Sequence, residues 1–330
     1  MSYAKFSSIG AYVPKKTMSN KDFEKIIDTT DEWITKRTGI QTRHFVENET
    51  TSDLALEASK KALERAGMEA IDLDMIILAT FSGDYLSMPS TACALADKLG
   101  VNNIPAFDVS AACSGFIYAL ATAKAYVESN MAKKVLIVGA EVLSKLLDME
   151  DRTTCILFGD GAGAAIIEAT ENRDEAIKDI HIAADGAFGD LLIVPAGGSC
   201  EPFSQKVLDE RSHFIKMKGN ETFKIAVRTL TNDVIDILEK NKMSSEEIKF
   251  FVPHQANYRI IKAVGDSIGL KDEQVVLTVG KYGNTSAASI PMAINDIYEQ
   301  GKLKSGDLML LDAFGGGFTW GSALLPFSGK

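Results

Sequence analysis

The sequence predicts an α/β protein built from two similar halves, in which buried parallel strands alternate with helices. Three observations carry this. Short apolar runs recur at the length of strands covered on both faces. Longer helical patterns separate them. The order of elements over residues 100–139 then returns over residues 269–312.

The clearest strand runs are residues 75–79, 135–138, 164–167, 250–252, 275–277 and 308–311. Between them, Ser52 is placed to cap a helix whose apolar residues Leu54, Ala55, Ala58, Ala62 and Leu63 fall on one face, with Gly67 to end it. Another helix is expected over residues 222–240. In each copy of the repeat, a helix ending in Leu-Gly or Ile-Gly leads into a strand (105–109; 274–279). A turn of small residues follows, with Cys113 in one copy and Asn284 in the other. A helix (116–128; 290–300) and a buried strand complete the unit. Upstream, residues 75–80 match 250–254 as a strand exit. Such a duplication brings equivalent strand exits together around one site. Residues 186–217, rich in Gly, Pro and Ser, read as a surface excursion or a lid.

The 330 residues, 46% hydrophobic and 24% charged, have globular composition and ample length for a large core. A net charge of -10 argues against a broad nucleic-acid-binding surface. The first six residues lack the pattern of a secretory signal, and no apolar stretch approaches the roughly 20 residues that span a bilayer. The expectation is a soluble cytoplasmic protein with no membrane partner. The four cysteines stand apart with no C-x-x-C pair, which disfavours structural zinc and dithiol redox chemistry, and no His/Cys spacing suggests a metal.

Cys113 lies in Asp108-Val109-Ser110-Ala111-Ala112-Cys113-Ser114-Gly115-Phe116, where a buried strand ends, small residues turn and a helix begins. Unpaired N–H groups and the dipole of a helix start favour thiolate over thiol and supply an oxyanion donor. The same setting also suits a small core residue. Cys93 falls inside a helical run, Cys155 precedes a strand-like Ile156-Leu157-Phe158, and Cys200 sits in the irregular region; all three read as structural or surface thiols. His254, after a strand exit in Val252-Pro253-His254-Gln255-Ala256-Asn257, is placed to donate or accept a hydrogen bond. His44, His181 and His213 lack such a setting. Asn284, in Tyr282-Gly283-Asn284-Thr285-Ser286, is the second copy's counterpart of the cysteine turn. A Gly-Asn pair is usually only a turn. Facing a thiolate, its amide binds a carbonyl oxygen without adding a base that would hydrolyse an acyl group. Gly315-Gly316-Gly317 follows the last parallel strand and lets the backbone approach a ligand. No G-x-G-x-x-G opens a helix, and Gly159-Asp160-Gly161-Ala162-Gly163 runs into a strand, so a dinucleotide loop is not indicated.

In their order along the chain these motifs resemble β-ketoacyl-acyl-carrier-protein synthase III, one of the thiolase-fold condensing enzymes. Asp31-Glu32-Trp33-Ile34, Lys36-Arg37-Thr38-Gly39-Ile40, Leu157-Phe158-Gly159-Asp160-Gly161 and Gly315-Gly316-Gly317-Phe318-Thr319-Trp320-Gly321 extend the resemblance over nearly the whole chain. It implies a thiolase-like fold of two βαβαβ halves in α-β-α-β-α layers. Residues 1–175 would carry the cysteine, and residues 176–330 the histidine and asparagine.

The resemblance implies a mechanism. Cys113 attacks an acyl-coenzyme A (acyl-CoA) thioester and holds the acyl group, with the N–H groups of Cys113 and Gly316 as oxyanion hole. His254 and Asn284 then bind the thioester carbonyl of malonyl-acyl-carrier protein as it loses carbon dioxide. No cofactor is implied beyond the acyl-CoA substrate. Trp33 and Arg152 should flank the adenine, Arg37 should meet the phosphates, and Gly219 and Asn220 the pantetheine arm. Lys224, Arg259 and Lys262 should meet the acidic carrier, and a homodimer is expected. Met88 stands where relatives often place an aromatic gate to the acyl pocket, and residues 197–212 form a longer loop than in many relatives. A degradative thiolase is disfavoured, since no second cysteine follows Cys200. Elongating enzymes carry a second histidine where Asn284 stands. A polyketide- or quinolone-type synthase with the same triad is the alternative, and a non-catalytic binding relative a more distant one.

Overall fold

The computed structural model describes residues 2–329. Thirteen strands among them form two main sheets and two short ribbons. In chain order they are β1 (Tyr3–Tyr12), β2 (Lys16–Ser19), β3 (Thr42–Phe45), β4 (Met75–Ala79), β5 (Ala106–Val109), β6 (Lys134–Glu141) and β7 (Gly161–Thr170). They continue as β8 (Asp179–Ala184), β9 (Leu192–Ile193), β10 (Lys216–Met217), β11 (Phe250–Pro253), β12 (Leu308–Gly315) and β13 (Thr319–Pro326). The first sheet runs β1-β7-β6-β4-β5 and the second β11-β12-β13-β8; β2 pairs with β3, and β9 with β10.

The two sheets repeat one pattern. Parallel β5, β4 and β6 are followed by antiparallel β7 and β1. Parallel β11 and β12 are followed by antiparallel β13 and β8. The strand expected at 275–277, which would be the counterpart of β5, is reduced to a single parallel bridge between Val275 and Phe251. The reason is Gln255. Its side-chain amide donates to the Val276 carbonyl at 3.1 Å and accepts from the Thr278 and Val279 N–H groups at 2.7 and 3.1 Å. A buried side chain thus does what a strand ladder would do.

Alternation along the strands builds the layers. Ile77 on β4 faces the helices Gly115–Glu128 and Ser289–Glu299, packing with Phe116, Leu120, Ile290 and Ile294. Those two helices lie between the sheets and also meet Val252, Leu311 and Leu325. The neighbours Ile76 and Leu78 point the other way, to the helices Thr51–Ala66 and Thr91–Leu99. On the far face of the second sheet, Phe251, Leu310 and Leu324 pack on the helices Gly219–Asn241 and Tyr258–Ser267. The order is therefore helices, sheet, helices, sheet, helices, a thiolase-type layering. Gly139 makes the central packing close: a Cβ there would sit 2.2 Å from the Ala287 carbonyl.

Two local expectations are corrected. The N-cap of Thr51–Ala66 is Thr50, in a capping box with Asp53, and not Ser52. Ser52 lies in the first turn, where its N–H and hydroxyl both reach Asp84, at 2.8 and 2.5 Å. Residues 156–158 form no strand; Phe158 makes one parallel bridge to Asn284.

Candidate active site

Cys113 sits in a one-turn 3-10 helix, Ala112–Ser114, between β5 and Gly115–Glu128. The Ala111 carbonyl gathers the turn, accepting from the Ser114 N–H, the Ser114 hydroxyl and the Thr319 hydroxyl at 3.1, 2.8 and 2.9 Å. Gly315 at the end of β12 packs on it so closely that a Cβ would lie 2.6 Å from the Cys113 nitrogen. The thiol is 5% exposed. Burial pushes it up to about 12. Desolvation thus opposes the thiolate that the start of a helix would favour.

His254 follows β11, its N–H bonded to the Asp312 carbonyl at 2.7 Å. Nδ1 lies 2.7 Å from Ser289 Oγ, which also accepts the Gln255 N–H at 3.3 Å. Burial holds the ring down at about 3, so it is neutral and carries one N–H. With the serine proton directed to Nδ1, that N–H belongs to Nε2.

Asn284 is pinned through its backbone. Its N–H donates to Leu157 and its carbonyl accepts from Gly159, each at 2.9 Å. Oδ1 accepts the Ser286 N–H at 2.9 Å. That fixes the amide and leaves the Nδ2 donor for the cavity. Arg43 buttresses the segment: its fully buried guanidinium donates to the Ile156 carbonyl and, at 2.8 Å, to Asn20 Oδ1.

The three side chains converge on one cavity of about 110 Å³, whose apolar wall includes Phe223, Phe314 and Leu157. A second, apolar cavity of about 170 Å³ reaches Cys113 from the other side, past Ala112, Phe81, Phe158 and Leu192. Gly316 lines it. A substrate carbonyl at Cys113 thus meets the turn that holds Gly316, while a second carbonyl has two neutral donors, His254 Nε2 and Asn284 Nδ2.

Trp33 and Arg37 share the helix Asp31–Thr38, and Arg152 joins them. The Arg37 and Arg152 guanidinium carbons lie 4.5 and 4.8 Å from the indole centroid. Arg152 also donates to the Asp28 carbonyl at 2.8 Å. An adenine between indole and guanidinium needs roughly 7 Å, two contact distances of about 3.5 Å, so Arg152 must swing aside to admit one. Gly219 and Asn220 begin the helix Gly219–Asn241, and Gly219 lines the catalytic cavity.

Met88 is not brought into the site. It is 88% exposed and lines neither cavity, whereas Phe81 does. Of the three basic residues, Lys224 is exposed and Arg259 lies 5.3 Å over the Phe223 ring. Lys262 pairs with Asp266 and Asp272, each at 2.8 Å, so carboxylates flank the basic face it shares with Arg259. The remaining histidines serve elsewhere: His44 contacts the Pro14 carbonyl, His181 contacts Asp233, and His213 packs on Phe214. All four cysteines are free.

Sequence reasoning missed Ser289, Ser286 and Glu141. Glu141 left a signal: it is the one acid closing the wholly apolar run of β6. Residues 186–217 carry short elements, and Leu192 and Met217 within them line the catalytic cavity. Among the described residues, no helix is long and apolar enough to cross a membrane.

A buried cysteine, a neutral histidine and an asparagine at one cavity of this duplicated fold point to a condensing enzyme of the thiolase class. Residues 107–186 match the family described as 3-oxoacyl-[acyl-carrier-protein] synthase III, and residues 238–327 match its C-terminal region. A β-ketoacyl-[acyl-carrier-protein] synthase III of Sulfurovum sp. is 63% identical over 329 residues, covering 99% of this chain and 97% of its own. The protein of the same name from Helicobacter pylori is 57% identical over 328 residues, 99% of each chain. Among solved structures, the Aquifex aeolicus 3-oxoacyl-[acyl-carrier-protein] synthase III superposes with a TM-score of 0.90 at 44% identity, over 98% of this chain and 100% of that one. The chain belongs to the β-ketoacyl-[acyl-carrier-protein] synthase III family of acyltransferases.

Proposed function

We propose that this protein performs the decarboxylative Claisen condensation of a short acyl-CoA with malonyl-acyl-carrier protein, the step that initiates fatty-acid synthesis. The observation that carries the reading is the convergence of Cys113, His254 and Asn284 on one cavity.

The Cys113 sulfur attacks the acyl thioester, the oxyanion is held at the Cys113 and Gly316 N–H groups, and coenzyme A departs. Trp33, Arg37 and Arg152 bind its nucleotide end, with Gly219 and Asn220 along the pantetheine arm. The apolar cavity of about 170 Å³ suits a short acyl chain. Malonyl-acyl-carrier protein then docks against Lys224 and Arg259, and its thioester carbonyl accepts from His254 Nε2 and Asn284 Nδ2. The carbon–carbon bond to carbon dioxide breaks, and its electron pair forms an enolate held by those donors. The enolate carbon attacks the acyl-Cys113 carbonyl, and the cysteine leaves. Neutral donors suit this step, since a base beside the thioester would promote hydrolysis. No cofactor is required.

The protein works as a cytoplasmic homodimer in this reading. The exposed Tyr85, Leu86 and Met88 give each subunit an apolar segment to bury.

The test is to separate the half-reactions. His254→Ala should still form acyl-Cys113 yet lose decarboxylation of malonyl-acyl-carrier protein, by roughly 100-fold, and Asn284→Ala should lose decarboxylation to a similar extent. Loss of acylation with decarboxylation intact would contradict the assignment.

A further inference from the structure

Next to Cys113 lies a polar cluster that the condensation mechanism above leaves unused. Glu141 closes β6 with no exposure to solvent. All its hydrogen bonds fall on one oxygen: Oε2 accepts the Thr80 hydroxyl at 3.0 Å, the Phe81 and Ser82 N–H groups at 3.3 and 3.2 Å, and the Ser82 hydroxyl. Oε1 has no partner.

Ser286 stands between this carboxyl and the thiol, facing both. It is fully buried, and its Oγ also lacks a settled hydrogen bond. Its backbone takes φ +49°, a left-handed conformation uncommon outside glycine. The Asn284 side chain holds it there through the Ser286 N–H. Two orphaned polar atoms at a nucleophile call for an explanation.

We propose that Glu141 and Ser286 form a proton relay for Cys113. This rests on the reading of Cys113 as nucleophile. During acylation the thiol proton passes to Ser286 Oγ as the Ser286 proton passes to Glu141 Oε1. The sulfur electron pair forms the new bond to the acyl carbon. The bond from that carbon to the coenzyme A sulfur breaks, and the departing thiolate takes its proton from solvent. In the condensation step the Cys113 thiolate is released and recovers the proton from Glu141 along the same path.

The surroundings fit an acceptor that alternates between two states. Burial raises Glu141 to about 7, and the Ser82, Thr80 and Ser286 side chains and the Phe81 N–H oppose that rise. The titratable group whose charge couples to it is the Cys113 thiol itself. His254 already has its Nδ1 engaged by Ser289 and is set to donate from Nε2, so it is not the acceptor.

The experiment is the pH profile of Cys113 alkylation by iodoacetamide in wild type, Glu141→Gln and Ser286→Ala. It reads thiol deprotonation without any natural substrate. Acyl transfer from acetyl-CoA is followed in parallel. With the relay, both variants alkylate at least tenfold more slowly at neutral pH, and the limb near pH 7 disappears. Alkylation that is unchanged or faster in Glu141→Gln overturns it, since a carboxylate acting only as a charge would repel the thiolate and its removal would speed the reaction. Should Glu141→Gln fold poorly, Ser286→Ala decides: a wild-type profile there overturns the relay. Normal alkylation in wild type without any transfer from acyl donors would instead strike at the proposed function.

Discussion

Ser289 Oγ lies 2.7 Å from His254 Nδ1 and at the same time accepts the Gln255 N–H at 3.3 Å. A serine that accepts from Gln255 and gives its proton to Nδ1 fixes the ring as the Nε2–H tautomer. The ring is neutral, so its N–H must then point into the cavity from Nε2. Ser289→Ala should release the tautomer and lower condensation roughly 10- to 100-fold while leaving acylation of Cys113 near the wild-type rate. Separate assays of acyl transfer and of malonyl-carrier decarboxylation check this. Equal loss in both would contradict it.

The same burial has a signature in stability. His254 in the folded chain is held at about 3, against about 6.5 for an unfolded histidine. Below about pH 6.5 the unfolded chain binds a proton that the folded chain refuses. Stability therefore falls as pH drops from about 6.5 toward 3, by up to about 1.4 kcal/mol per pH unit from this group. His254→Gln should flatten that part of the slope, as read by denaturant melts across pH.

Arg152 lies on the Trp33 indole and must move for an adenine to enter. Arg152→Ala should raise KM for acyl-CoA by roughly tenfold and leave kcat nearly unchanged, since the lost contact is remote from the reacting atoms. KM for an acyl-pantetheine, which has no adenine, should be the same in both proteins. A fall in kcat with either donor would place Arg152 elsewhere.

Gly315→Ala forces a Cβ toward the Cys113 nitrogen, 2.6 Å away, in a core that cannot relax freely. It should cost about 2–3 kcal/mol of stability and disable acylation. A thermal melt and an acyl-transfer assay check the pair of effects.

The fold and the meeting of Cys113, His254 and Asn284 at one cavity were legible in the sequence because each has a local mark: period-matched apolar runs, a repeated order of elements, and a small-residue turn after each strand. The rest depended on distance along the chain. Nothing near residues 275–277 reveals that Gln255, twenty residues upstream, supplies their hydrogen bonds from its side chain. Nothing near Lys262 shows that Asp272 reaches it. Thr50 and Ser52 are equally good caps by type, and only Asp84, distant in sequence, draws Ser52 into the first turn. The Cys113 turn was placed correctly, but its charge state follows from tertiary burial that no local motif states.

The central claim is a covalent acyl-Cys113 that malonyl-acyl-carrier protein discharges. Intact-mass spectrometry of the protein mixed with short acyl-CoA donors tests it most directly. The account predicts a mass gain of one acyl group, mapped to Cys113, absent in Cys113→Ala, and lost on adding malonyl-acyl-carrier protein as β-ketoacyl-carrier protein appears. Product formed by Cys113→Ala, or no adduct from any acyl donor, would contradict it.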